Sequence, residues 1–170
     1  MMMCPRVLLS KSLTPPWSAG LLLAACVGVL ATAFVAQFVL GHEPCILCLW
    51  QRVPYGVVII LAALALLRRT NTRILLGFIA LVFLIGAGLA VFHTGVELHW
   101  WLGTSGCAIK PLHGDSIASL REQLLKTVTA RCDEITWTFL GFSFANWNIL
   151  TSLALSLFAG LAARNARGAS

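Results

Sequence analysis

Residues 74–92 read ILLGFIALVFLIGAGLAVF, a run with no charge, no proline and no strict alternation of apolar and polar positions. At about 1.5 Å per residue, a helix of this length covers the roughly 30 Å hydrocarbon core of a bilayer. Three further long apolar runs are 18–40, 49–67 and 145–163, the second of them interrupted by Arg52 and Pro54. A chain inside lipid must satisfy its own backbone hydrogen bonds, and long apolar runs without a two-residue period do so as helices, not as a barrel. The expected fold is therefore an all-α membrane protein, one domain over 1–170 built as a four-transmembrane-helix bundle. Composition agrees: 59% of the residues are hydrophobic and 11% charged, with a mean hydropathy of +0.89. A water-soluble domain of this length needs far more charged surface.

The net charge of +6 does not describe a nucleic-acid binder, because the basic residues are dispersed along the chain. Arg6 and Lys11 precede the first run, Arg68, Arg69 and Arg73 separate the second from the third, and Arg164 and Arg167 follow the fourth. Those segments hold no acid; all six acids fall in the two remaining connections. By the positive-inside rule both termini and the short Arg-rich turn are expected in the cytoplasm, with loops 41–48 and 93–144 on the periplasmic side. The first run could be read as a secretory signal ending at Ala31-Thr32-Ala33, but it continues to Leu40, too long for a signal core, so an uncleaved helix is expected.

Topology sorts the six cysteines. Cys4 lies in the cytoplasmic tail, where thiols stay reduced, and Cys26 sits mid-helix as a small buried hydrophobe. Cys45, Cys48, Cys107 and Cys132 all fall on the outer side, where disulfides persist. Four cysteines allow three pairings and the sequence alone does not choose; spacing favours Cys45 with Cys48 and Cys107 with Cys132. The Cys45-x-x-Cys48 pair follows Pro44 at a helix entrance, where unpaired N–H groups and the helix dipole favour thiolate. Arg52, four residues after Cys48, shares its helix face and is costly in a membrane helix, hence a functional candidate that stabilises a Cys48 thiolate or the polar edge of a cofactor. Pro54 is expected to kink the helix. Competing readings are a zinc site completed by Cys107 and Cys132, two purely structural staples, and Arg52 as an interface anchor. The zinc reading fits poorly, because structural sites show two compact pairs, and no metal is expected.

After the third run, Trp100 and Trp101 mark a membrane–water boundary. Gly103 to Gly106 forms a flexible approach to Cys107, and 116–131 carries apolar residues at helical spacing, the pattern of a short amphipathic helix lying on membrane lipid or against a soluble partner. Both arrangements place Cys107 and Cys132 on a mobile tether above the bilayer.

Two motifs carry a resemblance. Pro44-Cys45-Ile46-Leu47-Cys48-Leu49-Trp50-Gln51-Arg52 resembles the Pro-Cys-x-x-Cys-x-x-x-Arg signature of the DsbB disulfide-forming oxidases. Cys132-Asp133-Glu134, with Trp137-Thr138-Phe139-Leu140-Gly141 and Trp147, is similar to that family's segment before its last helix. The resemblance covers nearly the whole chain. It implies a thiol oxidase in the bacterial inner membrane: a DsbA-like periplasmic thioredoxin-fold partner attacks Cys107 of a Cys107–Cys132 disulfide. Cys132 then attacks Cys45, and freed Cys48 donates to a quinone, ubiquinone or menaquinone, beside Arg52. The respiratory chain reoxidises the quinol. His93 corresponds to a histidine the family places near the quinone. An energetic argument points the same way. A DsbA-type partner near about −120 mV is oxidised by an ordinary structural disulfide, below about −300 mV, only uphill by roughly 8 kcal/mol, so a stronger sink is required. The chain departs from the pattern at Gln51, where an acid is common, and in its short 103–106 approach; a specialised oxidase with a dedicated partner fits those departures. The rival outside this class is a metal-binding membrane protein using the Cys-x-x-Cys as ligands.

Overall fold

The computed structural model describes residues 15–67, 71–104, 107, 116–117, 130–135 and 137–166. Four helices dominate it: α1 (Pro15–Phe38), α2 (Ile46–Leu67), α3 (Thr72–Glu97) and α4 (Phe144–Asn165). Each is long and apolar enough to cross a membrane, with mean hydropathies from 1.3 to 2.8. The helices run up and down, so the end of α1, the start of α2, the end of α3 and the start of α4 share one end of the bundle. α4 packs chiefly on α3, and α1 and α3 flank α2.

The outer surface of the bundle is as apolar as its interior, unlike that of a soluble bundle. Val53, Ile60, Phe78, Leu84 and Leu157 point outward and are exposed, as lipid-facing side chains must be. The interior holds an apolar layer of Leu22, Tyr55, Val58, Leu76, Ile79 and Phe83, together with Cys26. Polar side chains then tie helix to helix: Ser156 Oγ donates to the Ala80 carbonyl at 2.8 Å, Thr94 Oγ1 to Asn146 Oδ1 at 3.0 Å, and Ser143 Oγ to Glu97 Oε2 at 2.6 Å. Small residues let backbones approach: a Cβ on Gly86 would meet Pro54 Cβ at 3.3 Å.

The helix bounds sit close to the apolar runs, with one instructive extension. α3 continues five residues past the expected end at 92, through His93, Thr94 and Glu97. Those polar residues stay helical because each finds an interior partner, so hydropathy alone marks the end too early. His93, expected at a helix end, is thus 3% exposed inside the bundle. Pro44, expected at the helix start, precedes it instead: α2 begins at Ile46 with Cys45 as its cap. A two-residue hairpin adds strand to the expected all-α fold. β1 (Thr138–Phe139) pairs antiparallel with β2 (Phe142–Ser143), Phe139 opposite Phe142. Leu140 and Gly141 both take positive φ, 53° and 81°, as a tight hairpin turn requires. Ser143 then caps α4, its side chain accepting from the Asn146 N–H. The amphipathic helix expected over 116–131 falls mostly on 118–129, outside the described residues, as do Cys4, Arg68 and Arg69.

Candidate active site

The start of α2 organises the cysteine end of the bundle. Cys45 caps the helix with sulfur in the role usually taken by a serine or aspartate oxygen: its Sγ accepts from the Cys48 N–H at 3.2 Å. Its carbonyl accepts from Leu49 N at 3.1 Å, the first turn closing behind it. The Cys45 and Cys48 sulfurs lie 2.7 Å apart. The hydrogen bond from the Cys48 thiol is the main influence holding the Cys45 thiol below its ordinary range; burial opposes it and His93 assists.

The second pair is bonded. Cys107 and Cys132 form a disulfide with a Cα–Cα distance of 5.1 Å, so they are not the second half of a four-thiolate site. It does not hang free on a tether. Cys107, 7% exposed, and Cys132, 0% exposed, pack in one buried cluster with Cys45, Leu47 and Val96. Gly103 makes the approach possible, since a Cβ there would stand 2.7 Å from Cys107 Cβ. Beside Cys132, Arg131 holds Asp133 through paired contacts of 3.0 and 2.6 Å and reaches Glu134 at 3.3 Å. The guanidinium keeps the Asp133 carboxyl below its usual range.

The two members of the Cys-x-x-Cys face different surroundings. Cys45 is buried within the disulfide cluster; Cys48 packs at the edge of that cluster and, unlike Cys45, also lines a cavity of about 380 Å³ together with Arg52 and His93. That volume lies within the roughly 300–1,000 Å³ of sites that hold small molecules. α1 supplies an apolar wall of Val29, Leu30 and Ala33, and the hairpin and α4 supply the rings of Phe139 and Trp147. Trp137 stacks on Phe144 at 4.5 Å in the same wall. Arg52 Nη1 donates to Gln37 Oε1 at 2.7 Å and its guanidinium lies 5.2 Å from the centre of the Phe34 ring. The arginine is thereby anchored beside the cavity, its charge neutralised by no acid in those contacts.

His93 joins the cysteines to a polar chain that the sequence did not disclose. Its Nε2 lies 3.5 Å from Cys45 Sγ and 3.8 Å from Glu97 Oε1. Its Nδ1 lies 2.7 Å from Gln51 Nε2. Gln51 Oε1 accepts from Asn148 Nδ2 at 2.6 Å, and Asn148 Oδ1 accepts from Tyr55 OH at 2.5 Å and Ser152 Oγ at 3.2 Å. No buried side-chain nitrogen or oxygen among the described residues lacks a partner. A polar side chain within an apolar run was the available signal for Gln51 and Asn148, because membrane interiors rarely hold such residues idle.

Comparison with known proteins agrees with this geometry. The family described as "Disulfide bond formation protein DsbB" matches residues 15–162. A disulfide bond formation protein B of Marinobacter nauticus is 36% identical over 146 residues, covering 79% of this chain and 83% of its own. One of Xanthomonas campestris is 33% identical over 151 residues, 85% and 87% of the two chains. One of Xylella fastidiosa is 35% identical over 139 residues, 78% and 80%. No solved structure gives a significant match. A four-helix inner-membrane bundle with a capping Cys-x-x-Cys, matched over nearly all its described length, belongs to the DsbB family of disulfide bond formation proteins.

Proposed function

We propose that this protein reoxidises a DsbA-like periplasmic thioredoxin-fold partner and relays the electrons through Cys107–Cys132 and Cys45–Cys48 to a membrane quinone. The observation that supports the order of the relay is the asymmetry of the Cys-x-x-Cys: Cys45 is buried in the disulfide cluster, and Cys48, at the edge of that cluster, is the one that also lines the cavity. A thiolate of the partner attacks Cys107 Sγ, forming a mixed disulfide and releasing Cys132 as thiolate. The partner's second thiol then attacks its own sulfur in that bond, leaves oxidised, and frees Cys107. Cys132 attacks Cys45 Sγ of an oxidised Cys45–Cys48 pair, and Cys48 departs as thiolate into the cavity. Cys107 closes on Cys132, restoring that disulfide and leaving Cys45 and Cys48 reduced. Each exchange conserves the number of S–S bonds, so only the last pair needs an external oxidant.

The cavity suits a quinone ring: flat aromatic and aliphatic walls, with the Arg52 guanidinium and the His93 imidazole among the polar groups of its lining. A bound ubiquinone or menaquinone would supply the terminal sink, accepting two electrons and two protons from the Cys45–Cys48 dithiol. Arg52 holds a positive charge beside the cavity, and His93, touching Cys45 and held by Gln51, offers a proton path from that sulfur. In this reading the single domain sits with both termini in the cytoplasm and loops 41–48 and 93–144 in the periplasm, so that the respiratory chain recharges the quinone from within the bilayer.

Purified protein mixed with reduced partner and quinone tests it. One partner disulfide should form for each quinone reduced, followed by the loss of quinone absorbance. Partner oxidation without quinone consumption, or labelling of Cys45 from the cytoplasmic side, would sink the proposal.

A further inference from the structure

Three soft donors converge where α2 begins. Cys45 Sγ, Cys48 Sγ and a ring nitrogen of His93 lie within 4.8 Å of one another. Cys45 Sγ to His93 Nε2 is 3.5 Å. A tetrahedral ion held at about 2.3 Å by sulfur and about 2.05 Å by imidazole sets an S···N edge of about 3.6 Å. That edge is already in place. The same bond lengths set an S···S edge of about 3.8 Å, so the two sulfurs, 2.7 Å apart, must separate by about 1 Å. Cys48 borders the cavity and has room to turn.

The surroundings suit an ion as well as the donors do. The Cys48 N–H already points at Cys45 Sγ and would stabilise a bound thiolate there. Glu97 Oε1, 3.8 Å from His93 Nε2 and one helical turn along α3, lies outside that three-donor group and would move toward the sulfurs to serve as a fourth ligand. A metal on Nε2 needs the proton on Nδ1 and an acceptor facing it. Turning the Gln51 amide end for end presents Oε1 to Nδ1. Asn148 turns with it, because the Tyr55 and Ser152 hydroxyls on its far side serve as donors or acceptors alike. His42 and Glu43 line the same cavity and give a cation a polar approach.

We propose that the reduced Cys45–Cys48 pair and His93 bind one zinc-class divalent cation, with Glu97 as fourth ligand, and that the ion holds the protein out of its oxidase cycle. Two metal–sulfur bonds and one metal–nitrogen bond form, the two thiol protons leave to solvent, and no atom changes oxidation state. The disulfide form has no thiolate to offer and binds nothing, so the ion captures only the reduced protein. The site goes beyond the quinone reading and does not depend on which oxidant serves the pair.

The test uses the full chain in detergent, carrying Cys107→Ser and Cys132→Ser, reduced with a phosphine and freed of reductant without air. Zinc is titrated against a chromophoric chelator, with neither quinone nor partner present, so failure here leaves the oxidase reading untouched and the converse also holds. One zinc per chain is expected in the reduced form and none after oxidation. Gln51→Ala should weaken binding by about 10- to 100-fold, the usual effect of losing an outer-shell partner, and Cys45→Ser or His93→Ala by more than that. Cobalt(II) in the unsubstituted ligand set supplies a readout independent of the variants' folding: a thiolate-to-metal charge-transfer band with intense tetrahedral visible bands is expected. A cobalt spectrum without the thiolate band, zinc binding that survives Cys45→Ser, or equal binding by oxidised protein overturns the proposal.

Discussion

Gly95→Ala should loosen the loop that carries Cys107 without touching a cysteine. A Cβ at residue 95 would stand 2.0 Å from Trp101 Cζ2 and 2.3 Å from Cε2. No rotation of a methyl relieves that overlap, so the indole must leave. Its departure breaks the stack on Phe92, whose centroid is 5.8 Å away at 10°, and the Nε1–H bond to the Phe92 carbonyl at 2.9 Å. A stacked aromatic pair is worth about 0.5–1.5 kcal/mol and the hydrogen bond about 0.5–1.5 kcal/mol. Together they shift the docking equilibrium by about 1–3 kcal/mol, roughly 5- to 150-fold in the open population. Trp101 stands six residues before Cys107, and Val96, next to Gly95, packs against that cysteine. The open population should therefore be read as reduction of Cys107–Cys132 by a small thiol, measured by trapping and gel shift.

The control lies in the background. Trp101→Ala removes the ring, so Gly95→Ala added to it should change the reduction rate by less than about twofold, whereas on the wild-type chain it accelerates it. Non-additivity of this kind identifies a shared contact. Equal acceleration in both backgrounds would show that residue 95 acts on the helix itself, and the docking argument would be wrong.

Three other substitutions separate the parts of the relay. Cys48→Ser should abolish quinone reduction, while Cys107→Ser should block electron uptake from the partner and leave quinone bound, as read by quinone absorbance and co-purification. Arg52→His removes the donor to Gln37 and the charge over Phe34; the apparent KM for quinone should rise by about 10-fold or more, about 1.4 kcal/mol, with little change in thermal unfolding, and an unchanged KM counts against the assignment. Gln51→Ala leaves His93 Nδ1 and Asn148 Nδ2 without their partners at a position 7% exposed; unfolding stability should drop by about 1–3 kcal/mol, and a stability equal to wild type would show that water replaces the amide.

The number and approximate positions of the spans were legible because hydropathy is a property of each residue alone, summed over a window. The ends were less so. His93, Thr94 and Glu97 look like the start of a loop until Gln51, Asn146 and Ser143 are known to face them, and those residues lie up to 52 positions away. The same limit hid the polar chain: Gln51 reads as a departure from a motif, and only its contacts with His93 of α3 and Asn148 of α4 turn it into the link between an imidazole and an asparagine. The cysteine pairing was favoured by spacing, yet the burial of the disulfide against Val96 and Leu47 was not expected, because the glycines around it suggest mobility. Gly103 serves close approach here, a use of glycine that no local pattern distinguishes from flexibility.

The direction of the proposed relay follows from a single local event, the residue at which α2 begins. Two cysteines three apart inside a helix would present both sulfurs to one face and one environment. Pro44 fixes its own φ, holds Glu43 away from helical backbone, and leaves Cys45 as the cap with Ile46 first in the helix. The cap lies off the helical path. Its sulfur therefore accepts from the Cys48 N–H and lies buried in the disulfide cluster, while Cys48, further into the helix, sits at the edge of that cluster and lines the cavity with Arg52. The same turn keeps the sulfurs in contact, so the split costs no separation. Starting the helix one residue earlier would draw Cys45 into it and bring both thiols to the same side. The asymmetry that lets one end receive and the other deliver would then be lost, although every side chain in the motif remained.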